Sequence, residues 1–317
     1  MFARALHEAK TSFGIMKKAG AARQARDWAR NGRQAVRSSV PGRGETMARK
    51  NKPIRTDIGW SNASSITLFG RDFPSEILGH LNLGDMGFLE LTGRIPTANE
   101  SRMFNAMVVT LVEHGITPSA LVARLTYLGA PESMQAAVAA GLSGLGTVFV
   151  GSIEGCAKML YEAMPKPDPA LDLAPLARAT AEKFQAAQRI VPGIGHPFHK
   201  PVDPRAPRLF ALAKETGFDG PYLRLVTAIA KEAEALSGRV LPVNATGAIG
   251  ALCCEMGFDW KICRGLGVMA RAVGLVGHIL EESRRPMAEE VWHLVEEQAT
   301  AHFHAAGQAG AAAPGKP

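Results

Sequence analysis

Apolar residues recur every three or four positions along most of this chain, and a glycine or proline ends nearly every such repeat. This spacing is typical of amphipathic helices joined by short turns. One segment, "TANESRMFNAMVVTLVEHG", opens on Thr97 with Glu100 three residues later, the pattern of a helix capping box, and closes at Gly115. Aromatic residues make up only 6% of the chain, which favours packed helices over a β-sandwich. The sequence therefore predicts an all-α protein with little or no sheet.

Two segments depart from simple amphipathic spacing. Residues 56–70, "TDIGWSNASSITLFG", predict an extended or irregular stretch with a possible short hairpin, and helices are expected from Pro74 onward. The segment "SMQAAVAAGLSGLGTVF" is nearly all small and apolar, so we expect a helix that is buried on every side.

The positive charge of the chain is concentrated at its start. The first 50 residues hold 12 Lys or Arg and 3 acids, whereas the rest holds 24 basic and 26 acidic residues and is nearly neutral. Residues 1–55 can be a basic disordered arm, an organelle-type presequence, or translated upstream sequence before a natural start at Met47, which we favour. With no aromatic-basic platform after them, we expect no nucleic-acid partner.

The cysteines and the apolar segments indicate the cellular compartment that is expected for this chain. Cys156, Cys253, Cys254 and Cys263 form no CxxC pair, so we expect buried thiols in a reducing, cytoplasmic setting. No uninterrupted apolar run of about 18 residues stands out, and we expect no membrane partner. No phosphate-loop motif or cluster of metal ligands is evident, so neither a metal nor a permanently bound cofactor is expected.

The most unusual stretch is "IVPGIGHPFHKPVDPRAPRL", Ile190 to Leu209. Gly193 and Gly195 stand just before His196, and five prolines stiffen the path. Glycine permits positive φ and close backbone approach, so successive backbone groups can face a ligand. These residues predict a rigid loop that holds a histidine and several cations beside an anion. A rigid helix-to-helix connection with a solvated histidine is the alternative.

Four blocks, in order along the chain, resemble the citrate synthase superfamily. They are "GWSNASSITLFGRDF…GDMGFLELTGRIPT", "TVFVGSIEGCAKML", "IVPGIGHPFHKPVDPR" and "VMARAVGLVGHILEE". The body from about Thr56 to Gln298 is similar to the short citryl-CoA lyase-like members and to the C-terminal lyase module of ATP citrate lyase.

The resemblance implies a fold and a chemistry. It implies a citrate synthase-like all-α homodimer, with a large helical domain (56–155 and 252–300), a smaller mobile helical domain (156–251) and a flexible tail (301–317). The family joins acetyl-CoA to oxaloacetate through citryl-CoA, or cleaves citryl-CoA. A CoA thioester would therefore be a substrate rather than a cofactor, with a small di- or tricarboxylate as the second ligand.

The resemblance also implies roles for individual residues. His196 would donate to the keto or hydroxyl oxygen of the four-carbon substrate, and His114 would contact the same substrate. Arg271, an arginine on an otherwise apolar helix, would bind a carboxylate, since a buried cation needs an anionic partner.

Further cations and backbone groups complete the expected site. Arg285, with Arg284 as an equal candidate, would reach across to the partner subunit. His199 and Lys200 come after the glycines of this loop (the glycine loop, residues 190–204), and Arg205 directly follows it. The family places cations for substrate or CoA phosphates in this region. We expect the backbone at Val191, Gly193 and Gly195 to contact CoA.

Two positions depart from the family pattern. Phe149 stands where citrate synthases have a histidine. ATP citrate lyase also has a phenylalanine at the matching position. Thr246 stands in "VNATGAIG" where the family has its catalytic aspartate, and a threonine hydroxyl cannot act as a carboxylate base near neutral pH. Unless Glu154, Asp57 or another acid takes this role, deprotonation of acetyl-CoA should be slow. We therefore expect a carbon–carbon lyase or synthase, with a catalytically weakened binder, acting as a sensor or partner subunit, as the alternative.

Overall fold

Helices account for nearly all regular structure in the computed structural model, which describes residues 54–310 and their side chains up to residue 303. The predicted leader, 1–55, lies almost wholly outside the described residues, as does the end of the tail beyond residue 310. The predicted all-α class is confirmed for the described part of the chain.

A small antiparallel sheet precedes the helices. Strands β1 (Gly59–Ser61), β2 (Ile66–Leu68) and β3 (Arg71–Asp72) pair in that order, so the hairpin predicted within 56–70 is confirmed.

Helical structure begins near Pro74 as expected, but it is interrupted before the first α-helix. A short π-helical turn spans Phe73–Ile77, and helix α1 begins only at Leu83. Gly79, with φ of 81°, breaks the path between them, and the Asn82 side chain caps the new helix by accepting a hydrogen bond from the Asp85 N–H at 2.8 Å.

Eleven α-helices are present in the described residues. They are α1 (Leu83–Thr92), α2 (Ala98–Val112), α3 (Pro118–Gly129), α4 (Met134–Ser143), α5 (Gly151–Ala163), α6 (Ala174–Ala186), α7 (Arg205–Thr216), α8 (Pro221–Ser237), α9 (Ala245–Glu255), α10 (Cys263–Arg284) and α11 (Ala288–Gly310). The predicted capping box at Thr97 and Glu100 is present at the start of α2.

Two helices organise the packing. Helix α10 contacts α2, α3, α4 and α5, while α9 contacts α5, α7 and α8. A hydrophobic core runs through both sets of helices, and the rings of Phe88, Phe104 and Phe258 meet edge to face in it with centroids 5.5–5.9 Å apart. Because both sets share this core, the positions of residues on α2, α5, α9 and α10 are fixed relative to one another.

Helix α4 is less buried than its composition predicts. Only Ala137 and Gly141 are buried within it, while Met134 remains 46% exposed. The expectation of burial on every side is wrong for the isolated chain, because α4 packs on α3 and α10 along one face only.

The described residues from Asp57 onward belong to one compact unit. The division into a large domain and a smaller mobile domain stays a prediction. Helix α11 extends to Gly310, into the stretch expected to be a flexible tail.

One helical stretch of the described residues, Trp260–Arg284, has the length and apolarity to cross a membrane. Half of its most apolar window is buried inside the protein, and core helices of globular proteins commonly meet the same criteria. This feature is weak evidence for a membrane span.

The glycine loop is held between α5 and α9. Gly193 has φ of 79°, which favours glycine, and its backbone touches that of Gly247 so closely that a Cβ on either residue would clash with the other. On the other side, a Cβ on Gly155 would lie 3.1 Å from Pro192. These contacts fix the backbone of Gly193, three residues before His196, and thereby set the position of His196.

Candidate active site

The imidazole of His196 is fixed by its own loop. Its Nδ1 accepts hydrogen bonds from the backbone N–H groups of Phe198 and His199 at 3.1 and 2.9 Å. Because Nδ1 serves as an acceptor, the proton of the neutral ring is on Nε2. His196 therefore has one N–H donor, at Nε2, on the edge of the ring that does not face these backbone groups.

Three histidines meet at this point. The ring centroid of His196 lies 4.4 Å from that of His199 and 6.3 Å from that of His114, and the last two are 5.7 Å apart. His114 follows the end of α2, whereas the other two belong to the glycine loop. The fold thus joins the predicted residues His114 and His196, which are 82 positions apart in the sequence.

The surroundings keep His196 neutral. Burial lowers its pKa, and the charges of His199, Arg205 and His114 lower it further, against the opposing effect of Asp203. A neutral imidazole near neutral pH can donate from Nε2 to an oxygen that gains negative charge.

The same cluster has the spacing of a metal site, since one nitrogen from each ring lies within 4.8 Å of the others. A metal would need a lone pair on Nε2 of His196, which carries the proton while Nδ1 faces two N–H donors. Metal-bound histidines instead donate their second N–H to an acceptor. The geometry thus favours a cluster that binds an oxygen-bearing substrate through hydrogen bonds.

Arg271 is a buried cation with unused donors. It lies on α10 with 8% exposure, and its Nε and Nη1 have no hydrogen-bond partner among the described residues. Burial lowers its pKa, and the charge of Glu113, the residue before His114, partly offsets this. Two unused guanidinium donors favour a bound carboxylate at this place.

Thr246 takes part in a chain of hydroxyl and amide groups. Its Oγ1 donates to Asn244 Oδ1 at 2.7 Å and accepts from Ser152 Oγ at 2.9 Å. Asn244 in turn donates from Nδ2 to the carbonyl of Gly195 at 2.6 Å. Thr246 is therefore linked through Asn244 to the residue that precedes His196.

Asp203 anchors the end of the loop. Although burial raises its pKa, hydrogen bonds from Arg205 and from the backbone N–H of Ala245 lower it to about 2. Nε and Nη2 of Arg205 bind the Asp203 carboxylate at 2.9 and 2.8 Å. The guanidinium of Arg205 is therefore already bound to a carboxylate within the protein. Its expected contact with CoA stays a prediction.

The remaining predicted residues differ in their solvent exposure. Phe149 is 49% exposed, and its carbonyl lies 3.1 Å from Ser152 Oγ. Lys200 is exposed on the loop, and Val191 is half-buried. The expected roles of these residues stay predictions.

The two C-terminal arginines are not at the histidine cluster of the same chain. Arg284 and Arg285 line a cavity of about 260 Å³ with Gly277, Leu280 and Glu281. Arg285 lies about 20 Å along the helix axis from Arg271.

Neither proposed substitute acid is an evident base. Glu154 forms an ion pair with Arg264 at 2.9 Å, and Asp57 lies exposed before β1.

Three residues of this region were not predicted. Glu113 was overlooked beside His114 although "EHG" shows it as the adjacent acid, and Asn244 could have been recognised as a helix N-cap in "NATG". Ser152 has no local pattern that marks it, because its contact with Thr246 joins two helices.

Comparison with known proteins identifies relatives of this chain. The sequence profile of the citrate synthase C-terminal domain matches residues 80–290. The chain is similar to the citryl-CoA lyase from Hydrogenobacter thermophilus, with 30% identity and a TM-score of 0.65 over 73% of this chain and 87% of that one. It shares the fold of the ATP citrate lyase from Methanothrix soehngenii, solved with citrate and coenzyme A, with 19% identity and a TM-score of 0.61 over 78% of this chain and 42% of that one.

Among curated sequences, the chain is 25% identical over 213 residues to ATP-citrate synthase beta chain protein 2 from Arabidopsis thaliana. This match covers 62% of this chain and 34% of the relative. The chain spans about a third of the length of the curated relatives it matches.

The His199→Gln substitution should raise the pKa of His196. It removes a neighbouring charge that opposes protonation, so the pKa should move up toward the ordinary histidine value of about 6.5. The neutral donor form of His196 would then be lost at a higher pH than in the unsubstituted protein. An NMR titration of the His196 Cε1–H measures this, with His293→Gln, on exposed α11, as the control. An unchanged or lower pKa of His196 would contradict the assigned coupling.

Proposed function

The chain belongs to the citrate synthase family, and on that basis we propose that it makes or cleaves the carbon–carbon bond between the acetyl unit of a CoA thioester and oxaloacetate or a similar keto acid. The observation that carries this proposal is the contact of His114 with His196, next to Glu113, whose charge acts on a buried Arg271 with two unused donors.

Arg271 supports recognition of a carboxylate. A buried cation without full hydrogen bonding is costly, and a carboxylate can accept two parallel N–H bonds from a guanidinium. The uncompensated donors of Arg271 are therefore better explained by a bound di- or tricarboxylate than by a structural role.

The neutral His196 supports chemistry at the keto carbon. When the carbon–carbon bond forms, the electron pair of the acetyl enolate attacks that carbon and negative charge appears on the keto oxygen. When the bond breaks, the electron pair returns to the acetyl carbon and the oxygen becomes a carbonyl again. An N–H donor held at that oxygen stabilises its charge in both directions.

The glycine loop supports binding of the CoA thioester. Gly193 and Gly195 are held in left-handed conformations, with φ of 79° and 82°. Lys200 follows on the exposed side of the same loop and adds a positive charge. The carbonyls of Gly193 and Gly195 and the N–H of Gly195 are already bonded to Asn244 and Pro242, so we propose that CoA lies on the exposed side of the loop, with Lys200 and His199 near its anionic groups.

A second candidate function rests on Thr246. With its proton directed to Asn244 and an oxygen lone pair taken by Ser152, the hydroxyl offers no acid–base group for the acetyl carbon. This favours a weakened protein that binds CoA and a dicarboxylate as a sensor or partner subunit.

Turnover separates the two candidates. The protein is incubated with citryl-CoA and, separately, with acetyl-CoA plus oxaloacetate, while free thiol and oxaloacetate are followed. For an enzyme, His196→Ala should lower the rate by about 10²–10³-fold, because a charge-stabilising donor is lost.

Binding supplies the second measurement. Calorimetry with citrate should show heat in the unsubstituted protein and none in Arg271→Met. Citrate binding without turnover would favour the sensor, and the absence of both turnover and citrate binding would refute the proposed function.

Restoring the acid at position 246 should accelerate the reaction at the acetyl carbon. Thr246 lies in the first turn of α9, where the helix dipole would keep an introduced carboxylate ionised and able to act as a base. Thr246→Asp should therefore raise the rate of acetyl-CoA methyl exchange with deuterated water by up to about 10²–10⁴-fold. Thr246→Asn, equal in size and uncharged, is the matched control. Equal rates in the two variants would show that another group is the base.

We also propose a homodimer formed through the outer face of α10. Met269, Val273, Val276 and Leu280 lie 36–50% exposed at spacings of four, three and four, which places them on one face of the helix. Sedimentation should give twice the 33.7 kDa mass of the chain, and Val273→Glu should restore the monomer. A monomeric unsubstituted protein would refute the dimer.

A cytoplasmic location is proposed from the state of the cysteines. All four are free and buried, as expected for thiols in a reducing compartment. Cell fractionation checks this location, and recovery from an oxidising compartment would contradict it.

A further inference from the structure

A chain of polar side chains leads from the buried Arg124 through the buried His278 to Glu113, the residue before His114. Nε and Nη2 of Arg124, on α3, lie 3.3 and 3.0 Å from Nδ1 of His278, on α10. Nε2 of His278 lies 3.1 Å from Oε1 of Glu113. The same Glu113 oxygen accepts hydrogen bonds from the backbone N–H groups of His114 and Gly115 at 2.8 and 2.6 Å.

The direction of each hydrogen bond in this chain is determined. A guanidinium can only donate, so His278 Nδ1 accepts from Arg124. The proton of neutral His278 is then on Nε2 and is donated to Glu113. Although burial raises the pKa of Glu113, hydrogen bonds from the His114 backbone and the His278 side chain hold it below its usual value. Glu113 is therefore a carboxylate near neutral pH, as this arrangement requires.

The far end of the chain is firmly held. Arg124 is 1% exposed and donates from Nη1 to Glu282 at 2.8 Å, and it also contacts Glu281. Oε1 of Glu282 accepts from the backbone N–H groups of Met287 and Ala288 at the start of α11, at 3.0 and 2.9 Å. Arg124, which holds Nδ1 of His278, is thus itself fixed by carboxylates of α10.

Helix α10 also meets the end of α2 directly. A Cβ on Gly274 would clash with the carbonyl of Val112 and lie 3.2 Å from Oε2 of Glu113. Arg271 lies one turn earlier on α10, and the charge of Glu113 acts on it. The turn that carries His114 and the helix that carries Arg271 are therefore linked through one carboxylate.

We propose that His278 and Glu113 are positioning residues for the four-carbon end of the active site. His278 holds the Glu113 carboxylate, and Glu113 orients the backbone of His114 while it faces Arg271. Neither residue needs to touch the substrate. The ligand part of this inference rests on the proposed function, whereas the orientation of His114 does not.

Paired substitutions at His278 test the proposal. A glutamine can accept from Arg124 and donate to Glu113, so His278→Gln should retain the link, while His278→Leu should break it. His293→Leu, at an exposed histidine of α11, controls for the loss of a histidine elsewhere. A misplaced His114 should lower the affinity for citrate by about 10–10²-fold in His278→Leu, because a hydrogen bond to the charged ligand is lost. The affinity for CoA, which we assign to the glycine loop, should not change.

The comparison of citrate affinity with CoA affinity decides the outcome. A general loss of structure would weaken both citrate and CoA binding, whereas a positioning role weakens citrate binding alone and is rescued by His278→Gln. If His278→Leu does not fold, Glu113→Ala serves instead, because the Glu113 side chain is 47% exposed. Unchanged citrate affinity in the folded variant, or equal losses for both ligands, would overturn the proposal.

A measurement without ligand separates this inference from the proposed function. In selectively labelled protein, the nuclear Overhauser effect between the rings of His114 and His199, whose centroids are 5.7 Å apart, should disappear in His278→Leu and persist in His278→Gln. If the unsubstituted protein binds no citrate, the proposed function fails while this effect still tests the positioning role. Persistence of the effect in His278→Leu would refute the positioning role itself.

Discussion

The candidate site depends on one backbone contact, that between the glycine loop and the start of α9. Gly193 and Gly247 touch without side chains between them, and the backbone N–H of Asn244 donates to the carbonyl of Gly193 at 3.0 Å. The N–H of Gly195 donates to the carbonyl of Pro242 at 2.7 Å. Because these bonds fix the loop on both sides of Ile194, the ring of His196 has a defined position before any ligand binds. Such prior order reduces the entropy lost when a ligand is held.

Two buried arginines in the same bundle have opposite surroundings. Arg124 is bound by His278, Glu281 and Glu282, so its charge is compensated within the protein. Arg271 has two nitrogens without partners in the described part of the chain and only Glu113 as a nearby charge. A buried cation with paired donors is part of the structure, whereas one with unpaired donors is suited to an incoming anion. This contrast supports the proposed carboxylate site at Arg271 more strongly than the presence of an arginine alone.

The two ends of the proposed substrate are treated differently. At the four-carbon end, the neutral donor, the histidine cluster and the cation expected from the family are all present. At the acetyl end, the hydroxyl of Thr246 lies between Ser152 and Asn244, where it completes a hydrogen-bonded chain and supplies no base. In the proposed function, recognition of the carboxylates and activation of the acetyl group are separable, because Arg271 lies on α10 and Thr246 on α9.

The amino-acid sequence by itself determined the helical class, the capping box at Thr97 and the loop that carries His196, because these depend on the spacing and backbone preferences of neighbouring residues. It did not predict the break before α1, where Gly79 and Asn82 overrode an otherwise helical pattern, nor the exposed face of α4. Only the tertiary structure placed His114 beside His196 and gave Glu113 its contact with His278, because residues 165 positions apart meet through helix packing rather than local order. The burial that leaves the donors of Arg271 without partners was likewise decided by the packing of α10 against α2.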